Sequence, residues 1–163
     1  MEKIKIEIEM QDGKVMKAVL YPETAPKTVE NFVKLIGENF FDGLIFHRVI
    51  SGFMIQGGGM DASGNAKKCD SIRGEFSSNG FENPLKHTRG VLSMARTMFP
   101  NSASSQFFIM HDDAPHLDGQ YAAFGMLTDG YDVLDEIAET PTDYQDKPIK
   151  DCVIKTIRLA EGE

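Results

Sequence analysis

The chain has 163 residues, of which 26% are charged and 41% hydrophobic. This composition is ordinary for a soluble globular protein, and it argues against long disordered regions. A chain of this length buries about 68–70% of its unfolded surface, enough to fold without a metal or a disulfide, so we expect residues 1–163 to form one domain. The net charge of −8 repels phosphate backbones and argues against nucleic-acid binding.

The N-terminal segment alternates isoleucine with charged residues and lacks the apolar stretch of a secretory signal. The sequence also lacks a run of about 18 apolar residues that could span a bilayer. We therefore expect a cytoplasmic protein without membrane contact. Cys69 and Cys152 do not form a C-x-x-C pair, so we expect two reduced thiols, although the sequence alone leaves a disulfide or redox role open.

The first predicted elements are two strands and a helix. Apolar and charged residues alternate from Ile4 to Met10, and an Asp-Gly pair then predicts a turn into a second strand at 15–20. Apolar residues at helical spacing predict a helix over 29–36, with Thr24 as its N-cap and Gly37 as its stop.

The rest of the chain predicts a second helix and six short strands. The helix lies at 131–138, where a Thr-Pro pair ends it. Strands so closely spaced leave no room for crossover helices, so the pattern predicts a mostly β fold, an antiparallel sandwich or barrel. Residues 57–90 form the longest irregular region, which is typical of a functional rim or mobile cover. The six strands are predicted at 45–50, 54–56, 91–95, 106–110, 122–127 and 153–159.

The segment FHRVISGFMIQGG, residues 46–58, places Arg48 and Gln56 among large apolar residues and glycines. Apolar side chains can hold a ring-shaped group, and a permanently charged guanidinium can stabilise a lone pair or a carbonyl. Glycines let a backbone approach closely. Because an arginine between Phe46 and Val49 has little reason to lie in a core, the pattern predicts a binding face.

This segment resembles the signature of the cyclophilin-type peptidyl-prolyl cis-trans isomerases, as do GVLSMA at 90–95 and SQFFI at 105–109. LDG at 117–119 and FG at 124–125 follow in the family's order, so the resemblance covers nearly the whole chain, from about residue 4 to residue 159. It implies a closed barrel of eight antiparallel strands capped by two α-helices. It also implies a monomeric enzyme, without cofactor or metal, that rotates X-Pro bonds in proline-containing polypeptides and assists their folding.

The resemblance also assigns roles to particular residues. Arg48 would stabilise the twisted amide, and Gln56 would bind the substrate backbone and help to fix Arg48. The other implied substrate-binding residues surround the proline ring, line the peptide or complete the rim: Phe53, Met54, Ala95, Arg96, Thr97, Gln106, Phe108, His116, Leu117 and Tyr121.

The size of the rotation barrier, about 18–20 kcal/mol, makes a further demand on such a site. Shortening an uncatalysed time of about 100 s to a millisecond takes about 7 kcal/mol of differential stabilisation. One charge-assisted hydrogen bond contributes about 1.5–3 kcal/mol net. We therefore expect a pocket that largely excludes water around Arg48.

Three positions depart from the commonest pattern of the family. Arg96 stands where asparagine is usual, Tyr121 where histidine is usual, and His116 where many members have tryptophan. Because the indole N–H and its broad face are missing at His116, we expect at most weak binding of cyclosporin, the family's cyclic-peptide inhibitor. The segment 61–71 lacks the frequent Gly-Thr-Gly-Gly run and is one residue longer, so we expect an altered preference around the proline.

Other functions are weighed against this one. A module that binds proline peptides without turnover and a chaperone-like surface with incidental catalysis both stay open, although Arg48 with Gln56 favours the enzyme. Residues 56–59 lack the ending of a phosphate-binding loop, and we expect a turn of close backbone approach there. The four histidines lack metal-ligand spacing, and the serines at 102–105 lack a nucleophile elbow.

Overall fold

A computed structural model describes residues 3–160. Within them the chain forms eight β-strands and two α-helices, together with short 3₁₀ turns at Ser77–Asn79 and Pro115–Leu117. The elements in chain order are β1 (Ile4–Met10), β2 (Val15–Leu20), α1 (Pro26–Gly37), β3 (Leu44–Ile50), β4 (Met54–Asp61), β5 (Val91–Met94), β6 (Phe107–Met110), β7 (Ala123–Asp129), α2 (Tyr131–Ala138) and β8 (Ile154–Leu159).

The strands form one antiparallel sheet in the order β3-β4-β6-β5-β7-β2-β1-β8. Its two edge strands meet, since Ile45 pairs with Val153 and the Phe46 amide donates to the Cys152 carbonyl at 3.0 Å. The sheet therefore closes into a barrel, which leaves few unpaired edge groups. The prediction of an eight-stranded antiparallel barrel with two helices is confirmed.

Phenylalanine rings fill the interior of the barrel. Phe32 projects from α1 among Phe41, Phe107 and Phe124, with ring centroids 4.9, 5.3 and 5.1 Å away. The tilted and edge-on arrangement of these rings suits their quadrupoles and adds to the hydrophobic gain from their burial. The apolar face predicted for α1 is thus the face that packs into the core.

The predicted N-cap of α1 is wrong. The helix begins at Pro26 after Ala25, and a distant residue replaces Thr24 as the cap. Glu75 is only 2% exposed, and its carboxylate accepts hydrogen bonds from the Lys27 amide at 3.1 Å and the Thr28 amide at 2.7 Å. A carboxylate accepts hydrogen bonds from the free N–H groups of the first turn, and its negative charge interacts favourably with the positive end of the helix dipole. A neutral hydroxyl lacks this second interaction.

The ends of α1 and β4 can also be compared with their predicted positions. The predicted end of α1 is confirmed, because its last residue is Gly37. Strand β4 runs to Asp61, beyond its predicted end, so the glycine run lies in a strand and the predicted turn is wrong. A Cβ atom at Gly57 would lie 2.5 Å from the Ile45 carbonyl oxygen, and one at Gly59 would meet the Gln106 side chain. The prediction of close approach is therefore confirmed.

Cys69 and Cys152 are free thiols. Over residues 3–160, neither helix has the length and apolar character needed to cross a membrane.

Candidate active site

A β-bulge turns Arg48 to the outside of the barrel. Phe46 is a core residue, and simple alternation along β3 would place Arg48 on the same inner face. However, Phe46 pairs with Gly57 and Arg48 pairs with Gln56, so β3 advances two residues against one on β4. The extra residue, His47, reverses the alternation, and Val49 becomes the next core residue.

The register of two further strands, β6 and β5, extends this outer face. Gln56 pairs with Phe108 on β6, and Phe108 pairs with Ser93 on β5. Residues that pair directly across antiparallel strands point to the same face. The sheet therefore places Arg48, Gln56 and Phe108 side by side on its outer surface.

A cavity of about 140 Å³ opens on this surface. Its floor belongs to a second apolar cluster, outside the barrel, that includes the buried side chains of Met54, Phe108 and Leu117. Small cavities with apolar floors and few polar groups suit compact apolar groups such as a five-membered ring. The cavity is lined by Arg48, Phe53, Met54, Gln56, Ala95, Arg96, Phe108, Leu117 and Tyr121, all of which the family resemblance implied as site residues.

The polar edge of the cavity holds an arginine whose charge is free for a ligand. The Arg48 Nη1 atom lies 3.5 Å from Gln56 Oε1, the limit of a hydrogen bond, and Gln56 Nε2 donates to Gln106 Oε1 at 3.0 Å. Arg89 and Arg158 pair with carboxylates. Within residues 3–160, no carboxylate pairs with Arg48 in this way.

The Arg48 side chain is solvent-exposed, which differs from the water-poor setting that the sequence predicted. The apolar cluster excludes water only from the floor of the cavity. Because the guanidinium lies at the rim, exclusion of water from its upper side depends on a ligand that covers it. His47, next to it, stays neutral near pH 7, because burial and the charges of Arg48 and Lys147 lower its pKa.

The remaining predicted residues lie next to this cavity. Thr97 and Gln106 line a neighbouring cavity of about 520 Å³, which shares Gln56, Ala95 and Arg96 with the first. His116 stacks on Phe53, with ring centroids 5.9 Å apart and planes inclined by 30°. The predicted residues thus form one continuous surface.

The Arg96 side chain is held by the protein itself. Its Nε and Nη2 atoms donate to the Gln120 carbonyl at 3.1 and 2.7 Å. Its guanidinium lies 4.7 Å from the ring centroids of both Phe76 and Tyr121. These cation–π contacts and hydrogen bonds fasten the wall of the cavity that Tyr121 forms.

Sequence reasoning missed a buried histidine beneath the cavity. His87 is 1% exposed and stacks on Phe108, with centroids 6.1 Å apart and planes inclined by 19°. Its Nδ1 atom lies 3.0 Å from Asp118 Oδ1, and its Nε2 atom lies 2.9 Å from the Ser93 hydroxyl. Burial lowers the pKa of His87 although Asp118 opposes this, so the ring is neutral, donating from Nδ1 and accepting at Nε2.

An aspartate, a histidine and a serine in a row are also the groups of a serine hydrolase. Here Ser93 is fully buried on the strand beside Phe108, so its hydroxyl is closed to a substrate. The row therefore supports the floor of the cavity rather than forming a nucleophile. No feature of the sequence around His87 indicated this contact.

Over residues 3–160, no group of three or more histidine, cysteine, aspartate or glutamate side chains is arranged to hold an ion.

Comparison with known proteins agrees with this geometry. The family described as cyclophilin type peptidyl-prolyl cis-trans isomerase/CLD matches residues 4–159. Peptidyl-prolyl cis-trans isomerase ppi1 of Schizosaccharomyces pombe is 41% identical over 156 residues, which cover 94% of this chain and 98% of that protein. The chain matches longer relatives as well and spans 38% of one from Streptococcus pyogenes and 24% of one from Gibberella zeae.

Solved structures match over nearly the full length. A cyclophilin type peptidyl-prolyl cis-trans isomerase of Cryptosporidium parvum superposes with a TM-score of 0.85 at 32% identity, over 99% of this chain and all of that one. The same protein in the presence of the dipeptide Ala-Pro gives a TM-score of 0.82 at 33% identity, over 97% and 99% of the two chains. This chain belongs to the cyclophilin-type peptidyl-prolyl cis-trans isomerases.

Proposed function

We propose that this chain accelerates rotation about X-Pro bonds in unfolded or flexible polypeptides and so assists their folding, with Arg48 as the group that stabilises the twisted amide. The observation that carries the proposal is a guanidinium, with no carboxylate partner among residues 3–160, at the rim of an apolar cavity whose floor is Met54, Phe108 and Leu117. The Cryptosporidium parvum structure obtained with Ala-Pro supports a proline-containing ligand.

The apolar floor would hold the proline ring while the flanking amide rotates. In the planar amide the nitrogen lone pair is delocalised, and it is recovered only when the bond twists. A hydrogen bond from Arg48 to that nitrogen is therefore stronger in the twisted state than in either planar one, which is what catalysis requires. Gln56 would hold the peptide backbone and limit the movement of Arg48.

The energetic demand explains why a cavity is needed beside the arginine. About 7 kcal/mol of differential stabilisation is required, and one charge-assisted hydrogen bond in water contributes about 1.5–3 kcal/mol. A bound polypeptide would cover the exposed side of Arg48, and the lower local dielectric would strengthen the contact. The rest would come from binding the twisted bond in preference to the planar forms.

The experiment is a protease-coupled isomerisation assay on a proline tetrapeptide. We expect the wild type to accelerate isomerisation. Arg48→Ala should lower kcat/KM by about ten- to a hundredfold, the loss expected for one charge-assisted contact. Arg48→Lys should recover little, because an ammonium does not reproduce the planar fork. Arg73→Ala, at an exposed arginine that lines neither the cavity of about 140 Å³ nor its neighbour of about 520 Å³, is the matched control and should keep full activity.

Circular dichroism should show that all of these variants are folded. If the wild type binds the tetrapeptide but does not accelerate its isomerisation, the chain is a binding module and the proposal is wrong. Near-wild-type rates for folded Arg48→Ala would remove the role given to the guanidinium. Equal suppression of client aggregation by wild type and Arg48→Ala would instead favour a chaperone surface with incidental catalysis.

A further inference from the structure

Two adjacent apolar side chains project into solvent just after Thr97, which lines the second cavity. Met98 is 84% exposed and Phe99 is 68% exposed, and we call this pair the apolar tip. Single exposed apolar residues are common on protein surfaces, but two large neighbours at the edge of a binding groove indicate a contact surface.

Hydrogen bonds at the base of the loop fix the position of the apolar tip. The Ser102 hydroxyl accepts from the Thr97 amide at 2.9 Å and donates to the Phe99 carbonyl at 2.7 Å. Asn101 Oδ1 accepts from the Gly74 amide at 3.0 Å. A loop held in this way presents its apolar side chains without losing much further conformational freedom when a ligand binds.

The apolar tip lies close in sequence to the proposed proline site. Arg96 lines both cavities, and its guanidinium is fastened to the Gln120 carbonyl. Phe99 follows Arg96 by three positions, so their Cα atoms are at most about 10 Å apart, the span of about three residues of extended peptide. A polypeptide that leaves the proline cavity past Ala95 and Arg96 would come within reach of the apolar tip after a few residues.

We infer that the apolar tip binds hydrophobic side chains of the client polypeptide that lie a few residues from the bound proline. This inference rests on the proposed function and names the class of client: unfolded segments with large apolar residues near a proline. Folded proteins bury such residues, whereas unfolded chains expose them. The apolar tip thereby gives the enzyme a preference for unfolded chains over short polar peptides.

The test uses two peptides of about a dozen residues with the same central X-Pro pair, one flanked by leucines and one by serines, beside the short tetrapeptide. We expect the wild type to show a kcat/KM about three- to tenfold higher on the leucine peptide, the range expected for partial burial of one or two apolar side chains. The double variant Met98→Ser/Phe99→Ser should lose this preference but keep its rate on the tetrapeptide.

Ile149→Ser is the matched control, because Ile149 is 71% exposed in the loop between α2 and β8 and lines neither cavity. It should keep the preference for leucine. Equal rates on the two long peptides, or a preference that survives in the double variant, would overturn the inference. So would a wild-type dimer that becomes monomeric in the double variant during sedimentation, since the apolar tip would then contact a second copy.

Fluorescence anisotropy separates this inference from the proposed function. If the wild type turns over none of the three peptides but binds the leucine peptide more tightly than the double variant does, the proposed function fails and the apolar tip stands. If the wild type turns the peptides over, but the wild type and the double variant each bind the leucine and serine peptides with equal affinity, the proposed function stands and the inference fails.

Discussion

Arg48 and Gln56 face each other as directly paired residues of β3 and β4, and Gln56 in turn donates to Gln106 on the same outer surface. The glutamine amide therefore lies between the exposed guanidinium and the Gln106 side chain. This limits the conformations that Arg48 samples at the rim of the cavity, so less freedom is lost when it contacts a substrate.

Replacement of Gln56 by leucine should lower activity without unfolding the protein. The leucine keeps the volume but removes both hydrogen bonds, so we expect kcat/KM on a proline tetrapeptide to fall by about tenfold, the value of one or two such bonds. Gln145→Leu, at an exposed position between α2 and β8, is the control and should leave the rate unchanged. Wild-type activity in folded Gln56→Leu would show that the glutamine neither orients Arg48 nor binds the peptide.

The buried His87 should make the stability depend on pH. Burial lowers its pKa in the folded state, so the unfolded chain takes up a proton first as the pH falls. The free energy of unfolding should then decrease from about pH 7 to pH 5, through the ordinary range of histidine. Urea unfolding of His87→Gln should show lower stability at pH 7 by about 1–3 kcal/mol, from the lost hydrogen bonds, and a weaker decrease toward pH 5.

Gln145→Leu, at an exposed position between α2 and β8, leaves every histidine in place and should keep the wild-type pH dependence. Part of the decrease should survive in His87→Gln, because burial also lowers the pKa of His47. An unchanged profile in His87→Gln would contradict the assignment.

The cap that Glu75 provides for α1 should be visible in the stability. Glu75→Ala removes the acceptor of the Lys27 and Thr28 amides, and we expect a loss of about 1–3 kcal/mol in the free energy of unfolding. Glu82→Ala changes an exposed glutamate a few residues away and should cost much less. Equal urea midpoints for the two variants would mean that solvent caps the helix equally well.

Cyclosporin should inhibit weakly, because position 116 offers a small imidazole stacked on Phe53 where many members of the family have an indole. His116→Trp should strengthen inhibition by about tenfold, through the added apolar area and the N–H donor. The measurement is titration of isomerase activity with the inhibitor. Tight inhibition of the wild type, or unchanged inhibition of His116→Trp, would show that residue 116 does not set the strength of cyclosporin binding.

Local patterns sufficed for most of the elements, whereas most of the candidate site followed from the resemblance to a known family. The alternation from Ile4 to Met10 and the helical spacing from residue 29 to residue 36 depend only on which face of an element meets the core, so the sequence reveals them directly. The residues around the cavity were recognisable because Arg48 and Gln56 stand among apolar residues and glycines in a family pattern.

Contacts between distant segments were beyond such reasoning. Glu75 caps a helix that begins 49 residues earlier in the chain, at Pro26, and His87 meets Asp118 across another loop. The glycines from Gly57 onward were predicted to form a turn, because they carry no side chains whose alternation would indicate a strand. They lie in β4, where close packing against neighbouring residues leaves no room for a Cβ atom.

The sequence by itself therefore determined a β-rich chain with two helices and an arginine in an apolar setting. Only the tertiary structure decided where that arginine points. Counting alternate residues from the buried Phe46 would send Arg48 into the barrel, and the bulge at His47 turns it outward beside Phe108. A bulge is fixed by the pairing of two strands, and pairing is a property of the closed sheet that neither strand carries alone.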